Sequence, residues 1–374
     1  MKTNHQQSVV SMSNPFKTAL FAMAALALGT ASQSWGVTYT AIVLTPSGFD
    51  GSYAFGTSGT QQVGWGSGSA TGGSHALLWN GSATGYVDLH PSGFIDSYAY
   101  GTSGTQQVGW GSGSAGGDHA LLWSGSAESY VDLHPGGFTY FTNSGALGTS
   151  GTQQVGWGYN FAGYHALLWS GTAESCVDLH PSGFSLSYAL GISGTQQVGC
   201  GQGSATGGNE HALLWSGTAE SCVDLNPSGF DGSYAYGISG TQQVGYGDGH
   251  ALLWYGSAVS YVDLHPSGWD NSYANGTNGT QQVGYGWGSA TGGDEQHALL
   301  WNGSASNYVD LHQFLPDGFV SSSAQAIDSS GNIVGYAVDS SGYSHAILWQ
   351  VPEPASALLI GAGLFFVRLR RRRN

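Results

Sequence analysis

Twelve of the thirteen histidines of this chain recur in two columns. Seven open the pentapeptide His-Ala-Leu-Leu-Trp or its variant, at His75, His119, His165, His211, His250, His297 and His345. Five follow Asp-Leu, at His90, His134, His180, His265 and His312, with Asn226 in the same place of another copy. Two residues before each of these six stands an aspartate: Asp88, Asp132, Asp178, Asp224, Asp263 and Asp310. Imidazoles and carboxylates in such columns can ligate a metal or can bond one another. Metal and catalytic sites need one convergent constellation, whereas here equivalent copies repeat, and Asn226 is a poor replacement for a ligating imidazole. The expectation is a His–Asp hydrogen-bonded brace in every unit, because buried polar groups need partners. No metal site and no cofactor are expected.

Other chemistry is sparse. There is no Gly-x-Ser-x-Gly elbow, no phosphate loop and no Asp-x-Asp-x-Asp-Gly calcium loop. Carboxylate pairs hydrolyse glycosides, but symmetric repetition singles out none, so no catalytic residue is assigned and the chain is not read as an enzyme. Cys176 and Cys222 stand where other units carry Tyr86, Tyr130, Tyr261 and Tyr308, and Cys200 stands in the column of Trp65, Trp110 and Trp157. The cysteines are thus substitutions in aromatic slots, with no CxxC and no zinc spacing. The Trp of His-Ala-Leu-Leu-Trp is read as core. The Trp65 column is read as core with sugar stacking as its alternative, and the irregular Trp269 and Trp287 as surface contacts. Asp118, Glu210, Asp248, Asp294 and Glu295 lie in variable loops, where binding residues concentrate.

These residues sit on one unit repeated seven times. His-Ala-Leu-Leu-Trp recurs at spacings of 39 to 48 residues. Thr-Gln-Gln-Val-Gly-aromatic begins at Thr60, Thr105, Thr152, Thr195, Thr241 and Thr280 and drifts to Asn332-Ile333-Val334-Gly335-Tyr336 in the last copy. Each unit holds four short strand candidates punctuated by Gly, Ser and Asn, here A (Tyr86 to Leu89), B (Ser97 to Thr102), C (Gln106 to Gly109) and D (His119 to Trp123). Steps such as Ser103-Gly104 and Asn80-Gly81 are hairpin chemistry, joining B to C and D to the next A. Only A to B, through His-Pro-Ser-Gly-Phe, reads as a crossover. The predicted fold is all-β, a seven-bladed β-propeller of four-stranded blades with B innermost, its small residues Ala99 and Gly101 suiting the axis. The first A strand, Thr38 to Leu44, lacks an earlier D, and the last D, His345 to Trp349, lacks a later A. They should pair and close the ring. A β-solenoid is the structural alternative.

All seven Lys and Arg residues fall at the termini, and Thr18 to Val367 carries none, against 22 Asp and Glu. Such a polyanion repels nucleic acid and anionic membranes. Neutral sugars, cations and basic partners remain compatible. The hydrophobic share of 40% and aromatic share of 13% mark a packed core, not acidic disorder.

Three segments follow: 1–36 as a signal peptide, 37–350 as the propeller, and 351–374 as a sorting signal. At the first, Lys2 and Lys17 precede the apolar run Ala19 to Leu28, with cleavage placed after Ala31 or Gly36 and Met12 as an alternative start. At the last, Val351-Pro352-Glu353-Pro354 precedes an apolar run from Ala355 to Val367 and an arginine cluster ending at Arg373. That run of 13 residues is shorter than the roughly 20 that span a bilayer, and the arginines favour the cytoplasmic side. Residues 351 to 373 strongly resemble the PEP-CTERM sorting signal of Gram-negative bacteria. The resemblance implies processing by exosortase near Val351, Pro352, Glu353 and Pro354, a transient membrane intermediate, and release or attachment at the cell surface among extracellular polysaccharides. The repeats, from about Val37 to Trp349, resemble the HAF family of extracellular repeats, with Leu or Ile as the third residue. The expected function is an exported surface or matrix interaction protein. Its alternatives are a lectin-like propeller for neutral polysaccharide and a secreted hydrolase.

Overall fold

The computed structural model describes residues 38–113, 116–136 and 141–352. The expected signal peptide, and the sorting segment from Glu353 and Pro354 onward, lie outside the described residues. Those described form seven four-stranded antiparallel sheets, each built in the order B-C-D followed by the next unit's A. The fold is therefore the predicted seven-bladed propeller. In blade 1 the strands are Gly51–Ser58, Gln61–Ser67, Ser74–Trp79 and Tyr86–Asp88. Strand B alternates buried and half-buried residues, as a strand with two different faces should. Strand D instead buries Ala76, Leu77, Leu78 and Trp79 in succession, because a blade is covered on both faces by its neighbours.

Ring closure follows the predicted pairing. Thr40–Val43 adds to Ser344–Gln350, with Thr40 opposite Gln350 and Val43 opposite Ile347. Leu44, fully buried, extends the ladder by donating its N–H to the Ala346 carbonyl at 2.8 Å. Seven hydrophobic clusters hold the described core, most of them built from two consecutive blades. One joins Val155, Ala166 and Leu168 of blade 3 to Ala189, Leu213 and Trp215 of blade 4. The seven tryptophans of the His-Ala-Leu-Leu-Trp column are fully buried there, which settles them as core.

The Thr-Gln-Gln-Val-Gly motif is explained by three contacts. Its second glutamine is buried and accepts the N–H of the glycine that opens the D–A loop, as from Gly81 to Gln62 and from Gly125 to Gln107, both at 2.8 Å. Its first glutamine links blades: Gln61 accepts from the Gln107 amide at 3.2 Å. Its glycine sits under a bulge in strand B between Ala54 and Gly56, and a Cβ on Gly64 would lie 1.8 Å from the Tyr53 carbonyl oxygen. No other residue fits.

Strand D and the next A form the expected antiparallel hairpin, with Trp79 opposite Tyr86, through a loop from Asn80 to Gly85 closed by the Asn80 N–H on the Gly85 carbonyl at 2.7 Å, with Gly81 at φ +75°. One expectation needs correction. The small residues of strand B do not line the axis. Gly56 faces the strand B of blade 2, where an added Cβ would come within 2.7 Å of the Tyr100 carbonyl oxygen. The axis is left to the larger residues between them.

Candidate functional site

The histidine columns form the same network in most blades. His75 donates from Nδ1 to Asp88 at 2.7 Å. The other Asp88 oxygen accepts the backbone N–H of His90 at 2.8 Å, and the two imidazoles stack with centroids 3.9 Å apart. Nδ1 of His90 lies 2.9 Å from the hydroxyl of Ser97, which also accepts the buried Ala76 N–H. Asn226 fixes the tautomer of this second column. There Ser233 donates to the amide oxygen of Asn226, and the amide nitrogen donates to the Phe230 carbonyl at 3.0 Å. An imidazole doing the same job accepts at Nδ1 and donates from Nε2, and Nε2 of His265 does lie 3.1 Å from the Trp269 carbonyl. It must be neutral. In agreement, burial first and the neighbouring His75 second hold His90 below the ordinary histidine value, and His134, His180, His265 and His312 are lowered alike. The columns are braces, as expected. Among the described residues no group of three His, Cys, Asp or Glu side chains could hold a metal.

The arrangement that binding would use lies on the axis. Between the two small residues of each strand B stands a larger one: Phe55, Tyr100, Leu147, Leu190, Tyr236, Asn275 and Gln325. All seven line one axial cavity of about 660 Å³, together with Tyr53, Trp65, Tyr285 and Tyr336. Around its mouth runs a belt of half-buried rings. Tyr336 meets Tyr53 at 5.0 Å, Tyr53 stacks on Trp65 at 4.5 Å, Trp65 meets Tyr98 at 5.2 Å, and Tyr98 meets Trp110 at 4.3 Å. On another arc Tyr234, Tyr246, Tyr273 and Tyr285 follow at 4.5 to 5.0 Å. Where blade 3 has Gly145 in the tyrosine's place, the indole of Trp157 lies over it. The belt sits where strand B begins and strand C ends, the face of the A–B crossovers and C–D loops. Burial pushes the phenols of Tyr246 and Tyr285 up to about 12, with the phenol of Tyr273 adding to both and Glu210 to the first, so these two stay protonated. It presents neutral ring faces and hydroxyls, a surface suited to sugars, whose rings have apolar C–H faces and peripheral hydroxyls.

Sequence reasoning missed the axial ring. The signal was available: in six Ala-x-Gly copies and the Ala324-Gln325-Ala326 of the last unit, x varies among Phe, Tyr, Leu, Asn and Gln. Of the other candidates, Trp65, Trp110 and Trp157 are half-buried members of the belt, between the two readings given them. Trp287 stacks beside Tyr273 at 5.4 Å and shares that rim. Trp269 is corrected: it is 6% exposed, fills the slot held elsewhere by phenylalanine, and donates from Nε1 to the Tyr308 hydroxyl at 3.2 Å. The loop acids do lie on the belt's face, but Asp118 and Asp248 are taken up in bracing their loops, the first by the Ser112 hydroxyl and the second by the Asp231 and Gly232 N–H groups. Asp294 and Glu295 are exposed. The three cysteines are free, with Cys200 buried. Val351 packs against the closing blade and Pro352 is exposed, at the end of the chain's last strand.

Residues 350–373 match the PEP-CTERM protein-sorting motif. No curated protein matches the chain. Among solved structures, an acylaminoacyl peptidase of Pyrococcus horikoshii aligns over 86% of this chain and 55% of its own, with 8% identity and a TM-score of 0.51. An extracellular domain from B. thetaiotaomicron aligns over 82% and 39%, with 9% identity and a TM-score of 0.47. A puromycin-hydrolyzing peptidase of Mycobacterium tuberculosis aligns over 81% and 62%, with 11% identity and a TM-score of 0.38. The chain thus spans about half the length of the solved structures it matches. At such identity the first likeness is one of fold alone. The sorting motif marks an exported protein handled by exosortase.

Proposed function

We propose that the mature protein is a cell-surface or extracellular-matrix protein whose propeller binds neutral polysaccharide at the aromatic mouth of its axial cavity. The observation that carries this reading is the belt itself: stacked, half-buried rings around a cavity of about 660 Å³ in a body without any Lys or Arg. Anionic polymers would find no counter-charge, since carboxylates repel acidic glycans and nucleic acid alike. The resemblance of the repeats to extracellular HAF repeats accords with that setting. So does the placement of the sorting segment. The last strand, Ser344–Gln350, runs toward the B–C and D–A face, so the chain leaves opposite the aromatic mouth. A propeller held by its C-terminal end would present the mouth outward. Processing would remove residues 1–36 and cut near Val351, Pro352, Glu353 and Pro354.

A glycan array probed with the exported protein tests this. Neutral polysaccharides should be retained and anionic ones not, and Trp65→Ala or Trp110→Ala should weaken retention at least tenfold while leaving the thermal midpoint within a few degrees. Retention unchanged in both variants would overturn the reading.

A further inference from the structure

A second cleft opens in blade 4, beside the crossover that enters it from blade 3. In four blades an aromatic residue at or just before the start of strand B packs edge-on against the tyrosine at the start of strand A of the same blade. The pairs are Phe49 with Tyr86, Phe94 with Tyr130, Phe230 with Tyr261 and Trp269 with Tyr308, all at 5.8 to 5.9 Å and 84 to 88°. In blade 4 the phenylalanine remains as Phe184, but the tyrosine is Cys222. The ring that closes the slot in those four blades is missing here, as it also is at Cys176 of blade 3, and a cleft of about 620 Å³ stands in blade 4, lined by Phe184, Leu213 and Cys222, together with Glu220 and Asp224.

We propose that this cleft binds a cationic aromatic group, an arylalkylamine, whose ring takes the place of the absent tyrosine against Phe184. The ring requirement is read from the four filled copies, which show what geometry this slot accepts. The charge requirement comes from the carboxylates. Glu220 is exposed and has no ion-pair partner among the described residues, and the body of the chain has no Lys or Arg to neutralise it. Asp224 adds a second carboxylate, partly satisfied by His211 at 2.7 Å. His180, on the opposite wall, supplies no competing cation, since burial first and His165 second keep it below the ordinary histidine value. The thiol is a wall of the slot and not a nucleophile: burial, with Asp224 beside it, pushes Cys222 up to about 12. This site is independent of the axial mouth.

Titration of the full exported protein with tyramine, tyrosol and 4-hydroxyphenylacetate, followed by ligand-observed NMR, tests the proposal. Tyramine should bind best, the neutral tyrosol more weakly, and the anion not measurably. Cys222→Tyr restores the residue that four other blades carry and should abolish tyramine binding, whereas Cys222→Ala should keep it. Glu220→Gln, at an exposed position, should weaken tyramine about fivefold and leave tyrosol unchanged. Trp65→Ala should leave tyramine binding intact, so failure of the glycan reading would not be confused with failure here. Equal affinity for the three probes, or tyramine binding undiminished in Cys222→Tyr, would overturn the proposal.

Discussion

A single asparagine explains a column of histidines. Asn226 accepts from Ser233 and donates to Phe230, and the histidines in its column make those contacts only when neutral. This has a consequence in pH. Unfolded, these imidazoles protonate near 6.5. Folded, His90, His134, His180, His265 and His312 do so only at lower pH. Their contribution is complete above about 6.5 and is lost as the pH falls through the folded values. His119 acts the other way. The hydrogen bond to Asp132 raises it against the pull of burial, so its stabilisation is full in acid and fades as the pH rises through its folded value. Five groups oppose one. The thermal midpoint should therefore fall between pH 7.5 and 5.5, and changing all five lowered histidines to asparagine should flatten that slope. A midpoint that stayed level in the unaltered protein across that range would contradict the neutral tautomer.

Strands carry a different lesson. Each outer strand A is short, two or three residues in blades 1 to 6, so no single one holds much. The exception is Thr40–Val43, which closes the ring across 300 residues of sequence and brings Leu44 into the core. A propeller blade is stable because neighbours cover both its faces, and opening one seam uncovers two blades. Deleting residues 38–44 should cost far more than shortening any other strand A. Fully burying one leucine alone is worth about 1.5–3 kcal/mol, and the closing ladder is lost with it. In scanning calorimetry the deletion should lower the midpoint by more than 10 °C, as roughly expected for several kcal/mol in a domain of this size. A drop no larger than that from trimming Val131–Asp132 would mean that closure does not latch the ring.

For the whole molecule, the two ends of the ring have different chemistry. One carries the aromatic belt and the acidic loops. The other carries the glutamine links, the D–A loops and the exit of the chain toward its sorting motif. Four residues separate Gln350, the end of the last strand, from the apolar run that starts at Ala355. Fully extended they reach at most about 14 Å, so the sorting proposed above would bring the folded body close to the membrane. Intact mass of the protein from its host, measured on cell-surface and culture fractions, should show a species that ends near Pro352 to Pro354 and lacks the arginines. A species retaining Arg373 in both fractions would refute processing at that position.

The number of blades, their strand grouping and the manner of closure are all readable in the sequence, because each depends on local facts. A repeat is counted from its markers, a turn is named by Ser-Gly or Asn-Gly, and an unpaired first A and last D reveal themselves by having no neighbour in sequence. The brace role of the histidines was legible for a similar reason, since equivalent copies cannot converge on one ion. Tertiary structure alone decided what faces the axis. Phe55, Tyr100 and Tyr236 meet because seven separate strands converge there, and the bulge beside Ala54 sets which residues turn inward. It also decided that the irregular Trp269 is core. Residue type does not report exposure when one aromatic can replace another in the same slot. The cleft at Cys222 belongs to this second kind. In sequence Cys222 is one of two cysteines in a tyrosine column, but in space it is the loss of a ring from a packed pair, beside which a cleft opens.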